Sequence, residues 1–283
     1  MLLYVNNFWH GFIEKTDPIN INFFIKLFIS VFNKQITITS NVNNADILLE
    51  CIFTTNTLIN YKHWKYSFLF TGESYLSNNN LHLFSCILGF KETSDNYVKC
   101  PLFIPYINYN SYYYSPVLQI PTNPICSVIS HPLGLVRNKF LDVLETKITI
   151  NHGGKFRNNI GDNISGCYNS DNLLNFYKNH KFVICMENSQ ESYYITEKII
   201  NGFRAGIVPI YWGTPNVTKY FNPNRFLQLK SDSDSDINEI INKIINMTDD
   251  EYISMINEPI FIKNNDELLS ELISDIKSCL HLS

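Results

Sequence analysis

From Ile125 to Gly213 the chain alternates short, almost unbroken apolar runs with segments of helical spacing, and this rhythm constrains the fold more than any other feature. ICSVIS, ITIN, KFVICMEN and IVPIYWG read as strands. LGLVRNKFLDVLET, DNLLNFYKN and YYITEKIINGFRAG read as helices, the last stopping at Gly206. Strands that are apolar throughout are covered on both faces, and strands that take turns with helices form a parallel sheet. DINEIINKIIN and ELLSELISDIKSCL follow as amphipathic helices. The first half shows the same rhythm less clearly: LLYV, ADILLECIF, YSFLFTGES and HLFSCILGF read as strands, INFFIKLFISVF as a helix. Tyr106–Pro124, rich in Tyr, Asn, Ser and Pro, reads as an irregular connection. At roughly 150 residues per domain, 283 residues make two α/β domains, taken as 1–118 and 119–283.

Composition excludes several classes. Hydrophobic residues are 45% and charged residues 17%, so this is not a disordered chain. A net charge of −4 argues against a broad nucleic-acid surface. The seven cysteines are odd in number, have no CxxC spacing and sit partly in apolar runs, which reads as free thiols in a reducing compartment rather than disulfides or zinc ligands. Neither a signal peptide nor an integral membrane segment is recognisable, so a soluble, cytoplasmic protein is expected, with the sequons at Asn163, Asn216 and Asn246 unused. Abundant Asn, Ile, Tyr and Lys, whose codons are AT-rich, point to a microbial or viral genome.

In parallel sheets ligands bind beyond the carboxyl ends of the strands, so the chemistry is sought in those loops. After KFVICM come Glu187, Asn188 and Ser189, then a helix with Glu197 and Lys198 in its first turn. A lysine opposes the helix dipole there unless an anion sits between them, which hints at a phosphate; read alone, the pair is a solvated helix face. Arg137 follows the ICSVIS strand, and with Lys198 could neutralise a pyrophosphate; a surface arginine is the plain alternative. Gly153-Gly154 permits close approach, with Phe156 to pack on a base and Arg157 and Asn158 to bond it, though a tight turn accounts for the same residues. Glu73, in the Thr71–Ser74 loop after YSFLF, is a candidate general base; read alone, it is a loop glutamate bonding its own backbone. His10, His82 and His131 receive no catalytic role. The run SDSDSD, with Asp232, Asp234 and Asp236, reads as a solvated loop ahead of a helix rather than a metal site.

The ordered run FVICMENSQESYYITEKIINGFRAGIVPIYWGTPNVTKYFNPNRF, Phe182 to Phe226, resembles the signature of the α-1,3/4-fucosyltransferases, especially the bacterial members. LVRNKFLDVL resembles the family's arginine-bearing helix, HGGKFRNNIG its Gly-Gly loop, FLFTGES with LFSCILGF the segment carrying its base, and VNNFW its first strand. The resemblance covers about nine-tenths of the chain and is weak before Tyr61 and at the C-terminus. It implies a GT-B fold, two Rossmann-like domains facing a cleft, with the acceptor on the first and GDP-β-L-fucose on the second. It further implies Glu73 as general base and Glu197 beside the oxocarbenium-like charge. Arg137 and Lys198 would hold the diphosphate, Asn188, Tyr194 and Glu197 would surround the nucleotide sugar, and the Arg157 loop would contact guanosine. No metal or cofactor is required beyond the GDP-fucose donor, and the expected partner is a glycan acceptor, fucosylated at the 3-OH of a GlcNAc-type sugar.

The chain departs from the family in three ways. Neither the animal members' anchor nor their disulfides are expected from these residues, and the last segment, ending at Ser283, reads as an ordinary helix rather than heptad repeats and a basic tail. Ser74, Tyr75 and Leu76 follow the base in place of the usual polar residues, which bears on acceptor contacts. Two other readings stay open: a glycosyltransferase with another nucleotide sugar, and a catalytically silent glycan-binding protein of this fold. A nicotinamide dehydrogenase is excluded by the missing GxGxxG. Trp9 and His10 are candidate acceptor contacts; acceptor identity and oligomeric state stay open.

Overall fold

The computed structural model describes residues 1–53, 56–74, 80–109, 119–164 and 170–282. Its elements divide between two compact units, the first holding 1–111, 191–194 and 264–283, the second 112–190 and 195–263. In the first lie β1 (Leu2–Asn6), α1 (Ile21–Phe32), β2 (Thr37–Ile38), β3 (Ile47–Cys51), β4 (Tyr66–Phe70), β5 (Cys86–Gly89), β6 (Tyr97–Lys99) and α2 (Phe103–Tyr109). The second holds β7 (Asn123–Ser127), α3 (Leu135–Glu145), β8 (Ile150–His152), α4 (Asp171–Lys178), β9 (His180–Met186), α5 (Glu197–Arg204), β10 (Val208–Trp212), β11 (Leu227–Gln228), α6 (Asp234–Asn246) and α7 (Asp249–Asn257). The last helix, α8 (Asn265–Cys279), returns to the first unit and packs on α1, α2 and β6.

Each unit carries one parallel sheet: β2-β1-β3-β4-β5-β6 in the first and β11-β10-β9-β7-β8 in the second. The strands are apolar because both faces are covered: every residue of β3, β5 and β10 is buried. On α1, Phe24, Leu27, Phe28 and Val31 form one buried stripe, with the Phe28 and Phe24 rings 4.5 Å from Phe68 and 5.1 Å from Phe70 of β4. Each such buried side chain contributes about 1.5–3 kcal/mol. The α5 helix begins where Thr196 caps it and ends at Gly206, whose φ of 76° makes the left-handed turn that glycine tolerates best.

The structure differs from the sequence reading in four places. The C-terminal helix packs with the first unit, although the division 1–118 and 119–283 assigns it to the second; its Leu268, Leu272 and Ile276 are buried there. The 118/119 boundary itself falls outside the described residues. The connection from Tyr106 begins inside α2, and Asp234 and Asp236 lie in the first turn of α6 rather than in a loop. α7 was not recognised, although its capping box, Thr248 with Glu251, is written in the sequence. Of the cysteines, Cys51, Cys86, Cys100, Cys126 and Cys185 are buried free thiols and Cys279 is half-buried; Cys167 lies outside the described residues. No described helix is long and apolar enough to cross a membrane.

Candidate functional site

In the second sheet the strand order reverses between β7 and β9, the point at which parallel α/β sheets bind ligands. Arg137 follows the first of these strands and Asn188 the second. Arg137 is the third residue of α3 and only 3% exposed. Its Nη2 donates to the carbonyls of His131, at 2.9 Å, and Leu133, and its Nη1 donates to Asn188 Oδ1 at 3.3 Å. Its Nε is buried without an acceptor. The guanidinium rests against Gly134, where an added Cβ would lie 3.1 Å from Cζ, on a backbone at φ 127°. Burial, and then the charge of Arg157, pull its pKa below the usual arginine value, yet arginine does not deprotonate in proteins. The site therefore holds a buried cation at the positive end of a helix, with only neutral partners among the described residues.

Lys198 is surrounded differently. Its Nζ lies 3.1 Å from Glu187 Oε2, 3.0 Å from Thr196 Oγ1 and 3.6 Å from Glu197 Oε1. Glu187 is fully buried and accepts from the Thr196 N–H at 2.8 Å and hydroxyl at 2.9 Å. Burial pushes the Glu187 carboxyl above its ordinary range, and Lys198 partly offsets that. Gly213 makes room for this carboxylate, since a Cβ there would meet Glu187 Cγ at 2.9 Å. The anion expected between Lys198 and the helix dipole is thus in this structure a protein carboxylate. Sequence reasoning gave Glu187 and Thr196 no role; a glutamate ending the apolar run FVICM was the available signal. Ser189, two residues on, has a buried hydroxyl oxygen without a partner.

The Gly153-Gly154 loop packs closely on the backbone before it: a Cβ on Gly154 would lie 2.2 Å from the Ile129 carbonyl oxygen. Arg157 is engaged by Asp142 at 2.5 Å and Glu145 at 2.8 Å, which fasten the loop to α3. Glu145 also meets buried His152, which meets Ser127 at 2.7 Å. Asp234 pairs with Lys139 at 2.8 Å, and Asp236 accepts from Ser231 at 2.6 Å; among the described residues no three acidic, His or Cys side chains gather as metal ligands. A groove of about 910 Å³ between α6, α7 and β11 contains none of Arg137, Asn188 or Lys198.

In the first unit the β4 strand ends in Thr71–Ser74. Gly72 adopts φ 53°, and the half-buried Glu73 follows it. The Tyr194 hydroxyl donates to Glu73 Oε2 at 3.2 Å. Near the end of β1, Trp9 stacks edge-on against Phe53 at 5.4 Å, and His10 is exposed. Buried Glu50, hidden from sequence reading inside ILLEC, accepts from Asn6 at 3.0 Å and from the Leu58 N–H at 2.7 Å and so shapes these strand ends. Tyr75 and Leu76 lie outside the described residues.

Two units, each built on one parallel α/β sheet, make up the architecture of the GT-B fold. Residues 121–256 match the family model described as the C-terminal region of glycosyltransferase family 10, the fucosyltransferases. The chain is 28% identical over 245 residues to the Helicobacter pylori alpha-(1,3)-fucosyltransferase FucT, covering 70% of this chain and 48% of that one. It thus spans about half the length of this curated relative. A crystal structure of an alpha1,3-fucosyltransferase with GDP shares the fold at TM-score 0.73 and 23% identity, over 99% of this chain and 90% of that one. One with GDP-fucose matches at TM-score 0.68 and 22% identity, over 98% and 90%. By these matches the chain resembles glycosyltransferase family 10, over residues 121–256 in the family model.

Proposed function

We propose that this protein is an inverting fucosyltransferase that moves L-fucose from GDP-β-L-fucose to a glycan hydroxyl, the 3-OH of a GlcNAc-type sugar. The acceptor oxygen attacks the anomeric carbon opposite the diphosphate. The new C–O bond forms as the bond to the β-phosphate oxygen breaks, GDP leaves with that electron pair, and Glu73 takes the acceptor proton. The observation that carries the reading is Arg137, a buried cation whose partners among the described residues are neutral acceptors, where the second sheet's strand order reverses. A diphosphate supplies the charge it lacks, and a charge-assisted bond there grows stronger as the leaving group becomes anionic. Lys198 adds a weaker, shared charge, Asn188 and Glu197 flank the nucleotide sugar, and the loop that Arg157 fastens contacts the guanosine. The donor is supported by the related alpha1,3-fucosyltransferase crystal structures with GDP and with GDP-fucose.

The test is Glu73→Gln with N-acetyllactosamine as acceptor. Transfer should fall by about 10²–10⁴-fold while GDP affinity stays unchanged. Transfer at the wild-type rate would remove Glu73 as the base.

A further inference from the structure

Glu73 stands on a short loop after a glycine at φ 53°, and its N–H donates to the Thr71 carbonyl. The hydroxyl partner of its carboxylate is fixed several times over. Tyr194 is 3% exposed, and its ring meets Phe90 edge-on at 5.0 Å. The preceding Tyr193 donates its N–H to the Phe90 carbonyl at 2.9 Å and its hydroxyl to Glu92, and Lys99 Nζ lies 4.8 Å over its ring. These attachments, all within the first unit, hold Glu191–Tyr194 against the strand that neighbours β4. The phenol is therefore a preset donor aimed at one oxygen of the Glu73 carboxylate.

We propose that Tyr194 is the positioning residue of Glu73, an inference that rests on Glu73 being the base. Its phenol binds Oε2 and so turns Oε1 toward the acceptor hydroxyl. Base catalysis depends on such alignment, because a misplacement of about 1 Å can cost about 10²-fold in rate. On this account Tyr194 acts through Glu73, in place of the nucleotide-sugar contact that the family resemblance implies for it, and its loss lowers turnover without loosening the donor.

Tyr194→Phe keeps the ring against Phe90 and deletes only the hydroxyl. Wild type, Tyr194→Phe, Glu73→Gln and the double variant are compared in three ways: fucosyl transfer to N-acetyllactosamine, GDP-fucose hydrolysis with water as acceptor, and GDP affinity by calorimetry. Tyr194→Phe should lower kcat about tenfold in both reactions, with the KM for GDP-fucose, the GDP affinity and Tm unchanged. The double variant should be no slower than Glu73→Gln alone, because the two residues act as one unit. A raised donor KM with kcat kept would make Tyr194 a nucleotide-sugar contact and overturn the proposal. Multiplying rate losses in the double variant, or a fall in Tm for Tyr194→Phe, would overturn it too. Wild-type protein that binds GDP but neither transfers nor hydrolyses GDP-fucose would instead fail the functional reading itself, before any variant is compared.

Discussion

Arg137 and Lys198 follow neighbouring strands of one sheet, and both were expected to face the same diphosphate, yet their surroundings are opposite. Arg137 donates to two carbonyls and an amide and keeps its full charge. Lys198 lies within 3.6 Å of two carboxylates, one of them fully buried. A cation left without a counter-ion in a buried place is costly to the fold and is retained where a ligand completes it. A cation beside a buried carboxylate is needed by the fold itself. On the proposed function the contrast separates binding from stability: Arg137 would serve the first, Lys198 mainly the second.

Substitutions can break or sharpen this contrast. The largest expected effect is on Arg137→Ala, which should weaken GDP binding about 10²-fold, or about 3 kcal/mol, read by calorimetry. The free protein should unfold at nearly the wild-type denaturant midpoint, because the exposed His131 and Leu133 carbonyls can turn to water. Lys198→Ala should do the reverse. GDP affinity should fall about tenfold or less, while the protein loses about 1–3 kcal/mol in denaturant titration. That is below the loss for a fully buried pair because the lysine side chain is 27% exposed. Equal losses of affinity with equal losses of stability would erase the distinction.

The smallest effect is on pH dependence. Burial raises the folded-state pKa of Glu187 above its unfolded value, so the folded protein binds the extra proton between the two. Its contribution to stability is present below the ordinary carboxylate range and is lost as pH rises through the raised value. Glu187→Gln should flatten that part of the stability–pH curve, measured as denaturation midpoints across the mildly acidic range. An unchanged slope would mean that Glu187 carries no such linkage.

How much of this was readable beforehand depended on distance along the chain. The helices α1, α3 and α6 were legible because their apolar positions repeat locally. The α7 helix was missed because its buried residues are few, Tyr252 and Ile256, and α2 because Pro105 and a tyrosine-rich continuation read as a loop. At the site, Arg137, Lys198 and Glu73 were legible as charges beyond strands. Their partners were not. Arg157 was read as a base contact, while Asp142 and Glu145, fifteen and twelve residues earlier, engage its guanidinium. Glu187 reaches back to a helix that starts ten residues later, and Tyr194 and Glu73 are 121 residues apart. Spacing reveals a charge at a strand end, but only the fold shows whether another residue has already neutralised it.

The central claim is that Arg137 is the anchor of a guanosine diphosphate site, and calorimetric titration in EDTA tests it most directly. Wild-type protein and Arg137→Ala would each be titrated with GDP, UDP and ADP. The account predicts that wild type binds GDP in preference to UDP and ADP, and that Arg137→Ala loses about 10²-fold in GDP affinity. Tighter binding of UDP or ADP, or GDP binding by Arg137→Ala at the wild-type affinity, would contradict it.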